Sequence, residues 1–192
     1  MLLHFVTTNQ HKVREVKSVL ERYGIELDMV DAEYDESGNT IQEIALNGAK
    51  ECAERLKVAV IVEDTGIFFD AFDNWPGARP KRVFEELGYD GIFKKLEGKD
   101  KGVRFVSAIG YCEPNGSPLL FEGSMRGKLA DEIRCPEKDV LPYERIIIPD
   151  GFRRTVAELG FEIKNEISHR RQSVENLGRF LRDKTLKDNI KR

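Results

Sequence analysis

The sequence predicts an α/β protein with a mixed β-sheet flanked by helices. Three observations predict it. An apolar run at residues 2–6 is followed by a stretch of helical period, and "VAVIV" (58–62) is apolar throughout. A continuous run of that length suits a central strand covered on both faces. "VRFVSAIGY" (103–111) and "PLLFEGSMRGKLA" (118–130) flank Pro114-Asn115-Gly116, the pattern of a β-hairpin. The order strand–helix–strand–helix–strand, then hairpin, is that of a mixed sheet.

Each element has its own signal. After the first strand, Val13, Val16, Leu20 and Tyr23 share one helix face, and Gly24 supplies a natural stop. "IELDMVD" (25–31) alternates as a second strand does. "EYDESGN" is an acidic loop. "TIQE" then reads as a capping box, Thr40 at the N-cap and Glu43 three residues on. It opens an amphipathic helix with Ile41, Ile44, Ala45, Ala49, Cys52, Ala53 and Leu56 on one stripe. "VAVIV" reads as ending abruptly at Glu63-Asp64-Thr65-Gly66. A loop follows at 73–80, then helical material to about Leu96, then the hairpin. "RIIIP" is a short strand, and "TVAE" (155–158) is a second capping box. A terminal helix carries Val174, Leu177, Phe180 and Leu181 at helical spacing.

Composition narrows the function classes. The chain has 192 residues with Lys+Arg 31 against Asp+Glu 34, a net charge of −3. So even a balance argues against a broad nucleic-acid surface. No apolar run approaches the ~20 residues of a membrane span, and the N-terminus lacks the basic and apolar regions expected of a signal peptide. The expected location is the cytoplasm, with no nucleic-acid or membrane partner. The scattered cysteines (Cys52, Cys112, Cys135) and histidines (His4, His11, His169) lack zinc-site spacing.

Four segments carry candidate chemistry. In "TTNQHK", Thr7, Thr8 and Asn9 can donate hydrogen bonds at a helix N-terminus, and Lys12 adds a point charge, which suits an anion. Capping by Thr or Asn accounts for the loop equally well. "VEDTG" brings Glu63 and Asp64 to a strand end, where hard cations find carboxylate oxygens. An exposed strand-to-turn junction is the plainer reading. Asp35 and Glu36 could add an oxygen, or simply form a solvated turn. In "KNEISHRR", Ser168 can cap the last helix while His169, Arg170 and Arg171 occupy its first turn. Cations there oppose the helix dipole, so an anion or nearby acids should compensate. An anion cradle, a pair of acids and a basic clamp together suit an enzyme acting on a nucleoside polyphosphate.

With "TTNQHK", "VEDTGIFFDAF", "NWPGARP", "IIIPDG" and "EISHRR" in this order, essentially the whole chain resembles the inosine/xanthosine triphosphate pyrophosphatases. The resemblance implies one nucleotide pyrophosphatase domain over 1–192: an elongated mixed sheet flanked by helices, in two lobes with a central cleft, usually as a homodimer. It implies Mg²⁺-dependent hydrolysis of deaminated purine nucleoside triphosphates (ITP, dITP, XTP) to the monophosphate and pyrophosphate. Matched residue by residue, Thr7, Asn9 and Lys12 fall on the triphosphate loop. Asp64 falls on the catalytic base and metal ligand, with Glu63 and Glu36 as further metal ligands. Thr65, Tyr143, Lys164, His169 and Arg170 fall on substrate contacts.

One segment departs from the family pattern. A glycine-rich "GFGYDP" is replaced by "VLPYER", with Leu141 for a phenylalanine, Pro142 for a glycine and Glu144 for an aspartate. Proline fixes φ and removes an N–H. Leucine also loses the aromatic stacking that a base receives from phenylalanine. The alternative to the enzyme is therefore a nucleotide-binding protein with altered base specificity or reduced catalysis.

Overall fold

In the computed structural model, which describes residues 1–190, β1 (Leu2–Val6) lies between two parallel neighbours. On one side is β2 (Glu26–Val30), in register Leu2 to Glu26, and on the other β3 (Val60–Phe69), with Phe5 opposite Ile61. The other strands are β4 (Pro76–Gly77), β5 (Gly102–Cys112), β6 (Leu119–Leu129) and β7 (Ile147–Pro149). The sheet runs β2-β1-β3-β5-β6-β7, with β4 antiparallel to β3 and β7 antiparallel to β6. The helices are α1 (Gln10–Leu20), α2 (Ile41–Leu56), α3 (Pro80–Leu96), α4 (Val156–Ile167) and α5 (His169–Ile190). The mixed α/β class read from the sequence is the class observed. Among the described residues no helix is long and apolar enough to cross a membrane.

The chain divides into two compact units. The first comprises residues 1–64, 107–123 and those from His169 on, and the second comprises 65–106 and 124–168. In the first unit the alternation of the strands sorts the core onto two faces. Leu3, Phe5, Ile61, Ile109 and Tyr111 pack with Val16, Val19 and Leu20 of α1 and Val174, Leu177 and Leu181 of α5. Val6, Val60, Val62 and Cys112 pack on the opposite face with Ala49, Cys52 and Ala53 of α2. This explains the unbroken apolar run of "VAVIV". The second unit has its own core, built from Ile67, Phe69, Val103 and Phe105 with Ile92 and Leu96 of α3 and Ile146, Ile147 and Val156.

Three local expectations change. The strand beginning at Val60 does not stop at Glu63-Asp64, but continues through Phe69. Thr65, Ile67, Phe68 and Phe69 all suit a strand, and Gly77 and Pro76 pair with Ile67 and Phe68. The Thr40 box is also rearranged. The Thr40 hydroxyl oxygen accepts from the Glu43 N–H at 3.2 Å, but Glu43 Oε2 reaches back to the N–H of Asn39 instead (3.0 Å). In the hairpin, Gly116 N–H donates to Glu113 O at 2.9 Å, while Asn115 alone has positive φ (61°). Proline second and a left-handed residue third is a type II arrangement, not the primed turn that Asn-Gly suggested. The box at Thr155 and Glu158 forms as read.

One glycine is required by close approach of two backbones. A Cβ on Gly110 of β5 would lie 2.1 Å from the carbonyl oxygen of Ala45 in α2. Neither partner is a flexible side chain, so relief requires moving the helix off the sheet. Gly110→Ala is therefore expected to destabilise the protein by about 1–3 kcal/mol, the usual range for overpacking. Urea unfolding measures this, and an unchanged midpoint would contradict the contact.

Candidate functional site

The "TTNQHK" segment joins β1 to α1, and its first role is to build the helix start. Asn9 is the N-cap, its Oδ1 accepting from the N–H of His11 (3.0 Å) and of Lys12 (3.3 Å). Thr7 Oγ1 accepts from Asn9 N–H at 3.1 Å, and Thr7 N–H is tied to Val30 O. The capping account of this loop is thus correct as far as Thr7 Oγ1 and Asn9 Oδ1 are concerned. The Asn9 side chain retains an amide NH₂ with two further donors.

Lys12 stands in the first turn of α1 and reaches β3. Its ammonium donates to Glu63 O (2.9 Å) and pairs with Glu63 Oε2 (2.7 Å). An ammonium has three donors, so Glu63 occupies two of them. The Glu63 side chain has no solvent exposure, and its Oε1 receives the Ser107 hydroxyl at 2.8 Å and Arg170 Nε at 3.3 Å. Arg170 is 2% exposed and also pairs with Glu15 of α1, while Ser107 and Ser173 hydroxyls stand 2.9 Å apart. Arg171 Nε bonds Glu175 at 2.8 Å, one turn on. The compensation required for cations at the start of α5 is supplied by Glu15, Glu63 and Glu175.

Two residues matched to the family's site meet in this geometry. Glu63, expected among the metal ligands, has its carboxylate among Lys12, Ser107 and Arg170 with no solvent exposure. Arg170, expected at the substrate, is buried and pairs with Glu63 and Glu15. Glu15, Ser107 and Ser173 were not singled out from the sequence. Glu15 had a signal, since it shares with Val16, Val19 and Leu20 a face that is otherwise apolar and buried. Ser107 and Ser173 had none.

Asp64, the next residue along β3, is half-buried and by strand alternation points to the face opposite Glu63. Glu36 is exposed in the loop between β2 and α2. Tyr34 ties these acids to one neighbourhood. Burial raises its hydroxyl well above the ordinary tyrosine range, and the charges of Glu36, Asp64 and Glu63 push it the same way. Among the described residues, no three His, Cys, Asp or Glu side chains gather as a metal cage would require. His169, the first residue of α5, is 8% exposed.

Thr65, Tyr143 and Lys164 belong to the second unit. Thr65 is half-buried in β3. The "VLPYER" segment forms a single 3₁₀ turn over Pro142–Arg145. Tyr143 is buried, which raises its hydroxyl above the usual range, and it donates to Pro80 O at 3.2 Å. Pro142 occupies the first position of the turn, and its carbonyl accepts the Tyr89 hydroxyl at 3.2 Å. Lys164 Nζ pairs with the buried carboxylate of Glu144 at 2.6 Å.

Residues 3–180 match the sequence profile of the Ham1 family. The chain belongs to the Ham1 family. It is 43% identical over 185 residues to a protein of Methanopyrus kandleri named dITP/XTP pyrophosphatase, covering 95% of this chain and 97% of that one. It is 34% identical over 186 residues to the inosine triphosphate pyrophosphatase of Yarrowia lipolytica, covering 96% of this chain and 97% of that one. A Ham1 protein structure from Coxiella burnetii has the same fold, with a TM-score of 0.79 at 24% identity, covering 95% of this chain and 99% of that one. A dITP/XTP pyrophosphatase structure from Mycobacterium abscessus matches with a TM-score of 0.68 at 27% identity, covering 94% and 96% of the two chains.

The buried cage around Glu63 has an energetic consequence. Removing the charge of Glu63 deprives the buried Arg170 and the partly exposed Lys12 of a counter-charge, and a broken buried pair is costly. Glu63→Gln keeps the volume and removes only the charge. It is expected to lower unfolding free energy by roughly 3 kcal/mol, the low end for losing one buried partner. Guanidinium unfolding measures it, and a loss below roughly 1 kcal/mol, the level of an exposed pair, would contradict the cage.

Proposed function

We propose that this protein hydrolyses deaminated purine nucleoside triphosphates (ITP, dITP, XTP) to the monophosphate and pyrophosphate, removing them from the nucleotide pool. The observation that carries the reading is the placement of Lys12 against the β3 residue next to Asp64, in a chain whose relatives across nearly its whole length are named as pyrophosphatases for these nucleotides. A nucleotide-binding protein with reduced catalysis is not favoured, because those relatives carry enzyme names. The resemblance further implies a homodimer in the cytoplasm, and the reading includes both.

The donor set suits Mg²⁺. Asp64 is half-buried on a strand and Glu36 is exposed on a loop, and both bear on Tyr34. Mg²⁺ is commonly held by one or two carboxylates with the substrate's phosphates and water, without a full protein cage. Glu63, the third acid that the resemblance names, bonds Lys12, Ser107 and Arg170. When bound, the metal polarises phosphoryl oxygens and neutralises charge on the leaving group.

The chain's own residues do the rest. The α1 N-terminus and the Asn9 amide provide donors for phosphate oxygens. Lys12, steered by Glu63, holds a positive charge where the leaving group becomes more negative. Asp64 orients a water and takes its proton as the oxygen attacks the α-phosphorus. The bond from that phosphorus to the bridging oxygen breaks, and pyrophosphate leaves with the electron pair.

Purified protein with Mg²⁺ is expected to release pyrophosphate, not orthophosphate, from ITP and XTP much faster than from ATP and GTP. Equal rates on all four would remove the base specificity, and no release from any would remove the enzyme. Asp64→Asn keeps the shape and removes the base. It is expected to lower kcat by about 10²-fold or more, and unchanged turnover would take Asp64 out of that role.

A further inference from the structure

The loop that carries Glu36 has no secondary structure of its own, yet it is fastened along a single face of α2. Arg55 Nη2 donates to Glu33 O, while Arg55 Nη1 holds Glu51 Oε1 at 3.2 Å. The other Glu51 oxygen accepts the N–H of Asp35 at 3.2 Å. The ring of Tyr34 lies over Gly48, where an added Cβ would come within 2.6 Å of ring carbon Cδ2. Gly38 lies equally close to α2, where its Cβ would meet Ile44 Cγ1 at 2.8 Å. Ile44, Gly48, Glu51 and Arg55 are spaced four, three and four apart, so they form one stripe. The Asp35 carboxylate closes the turn internally, accepting from Ser37 N–H (2.8 Å) and Ser37 hydroxyl (2.9 Å).

Glu36 is thereby bracketed. The Asp35 side is held by Glu51 and the Gly38 side by Ile44, while its own carboxylate remains exposed. The buried residues of α2 are Ile41, Ile44, Ala45, Gly48, Ala49, Cys52 and Ala53, so the stripe starts within the buried face at Ile44 and Gly48 and leaves it at the half-buried Glu51 and the exposed Arg55. Apart from proline, glycine is also the residue that helix propensity would least select at position 48, the middle of a sixteen-residue helix. Room for the Tyr34 ring explains it.

We propose that the Ile44–Gly48–Glu51–Arg55 stripe of α2 is a rail that positions the cation-binding carboxylate of Glu36, with Gly48 and Arg55 as positioning residues. The inference rests on the proposed Mg²⁺ role of Glu36 and Asp64 and goes beyond it by naming what holds one of them in place. A loop ligand held at several backbone points meets the cation without being ordered by it. Released from the rail, the same carboxylate must be ordered at the moment of binding, and affinity falls by that amount.

The test uses Mn²⁺ as the probe and the full chain without nucleotide, with free Mn²⁺ followed by its electron paramagnetic resonance signal. Arg55→Ala removes the tie to Glu33 O and the bond that holds Glu51 beneath Asp35. Gly48→Ala favours the helix by about 1 kcal/mol while displacing the Tyr34 ring, so the fold is retained. Both variants are expected to weaken Mn²⁺ binding about 10-fold, as loss of an outer-shell partner usually does. Amide exchange at residues 33–37 should rise in both, with β1 and β3 unchanged, and saturating Mn²⁺ should return it toward the wild-type level. Wild-type affinity in both variants would overturn the rail while leaving the metal reading in place. No Mn²⁺ binding by the wild-type chain would instead overturn the metal reading, and the rail with it.

Discussion

The interaction on which the first unit depends is the enclosure of one carboxylate. Glu63 has no solvent exposure, and its carboxylate contacts Lys12, Arg170 and Ser107. Those partners come from α1, from α5 and from β5. A single buried charge therefore dictates where two helices begin relative to two strands. Burying an ion costs several kcal/mol of lost hydration, and the surrounding donors offset it only if their geometry is good. The apolar packing of Val16, Val19, Leu20, Val174 and Leu177 brings α1 and α5 onto the sheet. The charge then selects the register, because sliding either helix by one residue would remove a donor from Glu63.

The same enclosure explains the basic start of α5. Two arginines in a first turn are unfavourable against the helix dipole, and locally Glu175 pairs with Arg171. Compensation for Arg170 comes from Glu15 and Glu63, both more than a hundred residues earlier in the chain. Arg suits this position better than Lys, since a guanidinium can address two carboxylates at once through nitrogens in a fixed plane. Lys12 keeps partial exposure, at 18% of its side chain. Of the two cations bound to Glu63, only Lys12 is open to an anion.

Periodicity and local chemistry made most of the fold legible. "VAVIV" read as a strand covered on both faces because Val60 and Val62 meet α2 while Ile61 meets α1 and α5. The Thr155 box and the stop at Gly24 are contained within a few residues, and both formed as read. The end of β3 was misread because an adjacent pair of acids resembles a strand terminus. What keeps Glu63 inside the sheet is a lysine 51 residues before it and an arginine 107 after it, and no local pattern encodes either. The candidate site divided along the same line. The motif named the Thr7, Asn9 and Lys12 loop, Asp64 and Arg170, but it did not reveal that Arg170 is buried between Glu15 and Glu63.

Asp64 and Glu36 are held in different ways. Asp64 inherits its position from β3, whose residues on either side are fixed by the sheet and by the cage around Glu63. Glu36 comes from a loop, and loops are poorer supports for geometry unless something rigid lies beneath them. Here α2 serves two purposes, and Ile44 and Gly48, buried themselves, belong to the stripe that meets the loop. Its small residues Ala45, Ala49, Cys52 and Ala53 bring it close to the sheet, and Gly110 allows its backbone to approach β5 directly. Its other stripe carries the loop. The closeness of α2 to the sheet and the placement of the acidic loop are therefore one constraint, because any change that lifts the helix also lifts the loop attached to it.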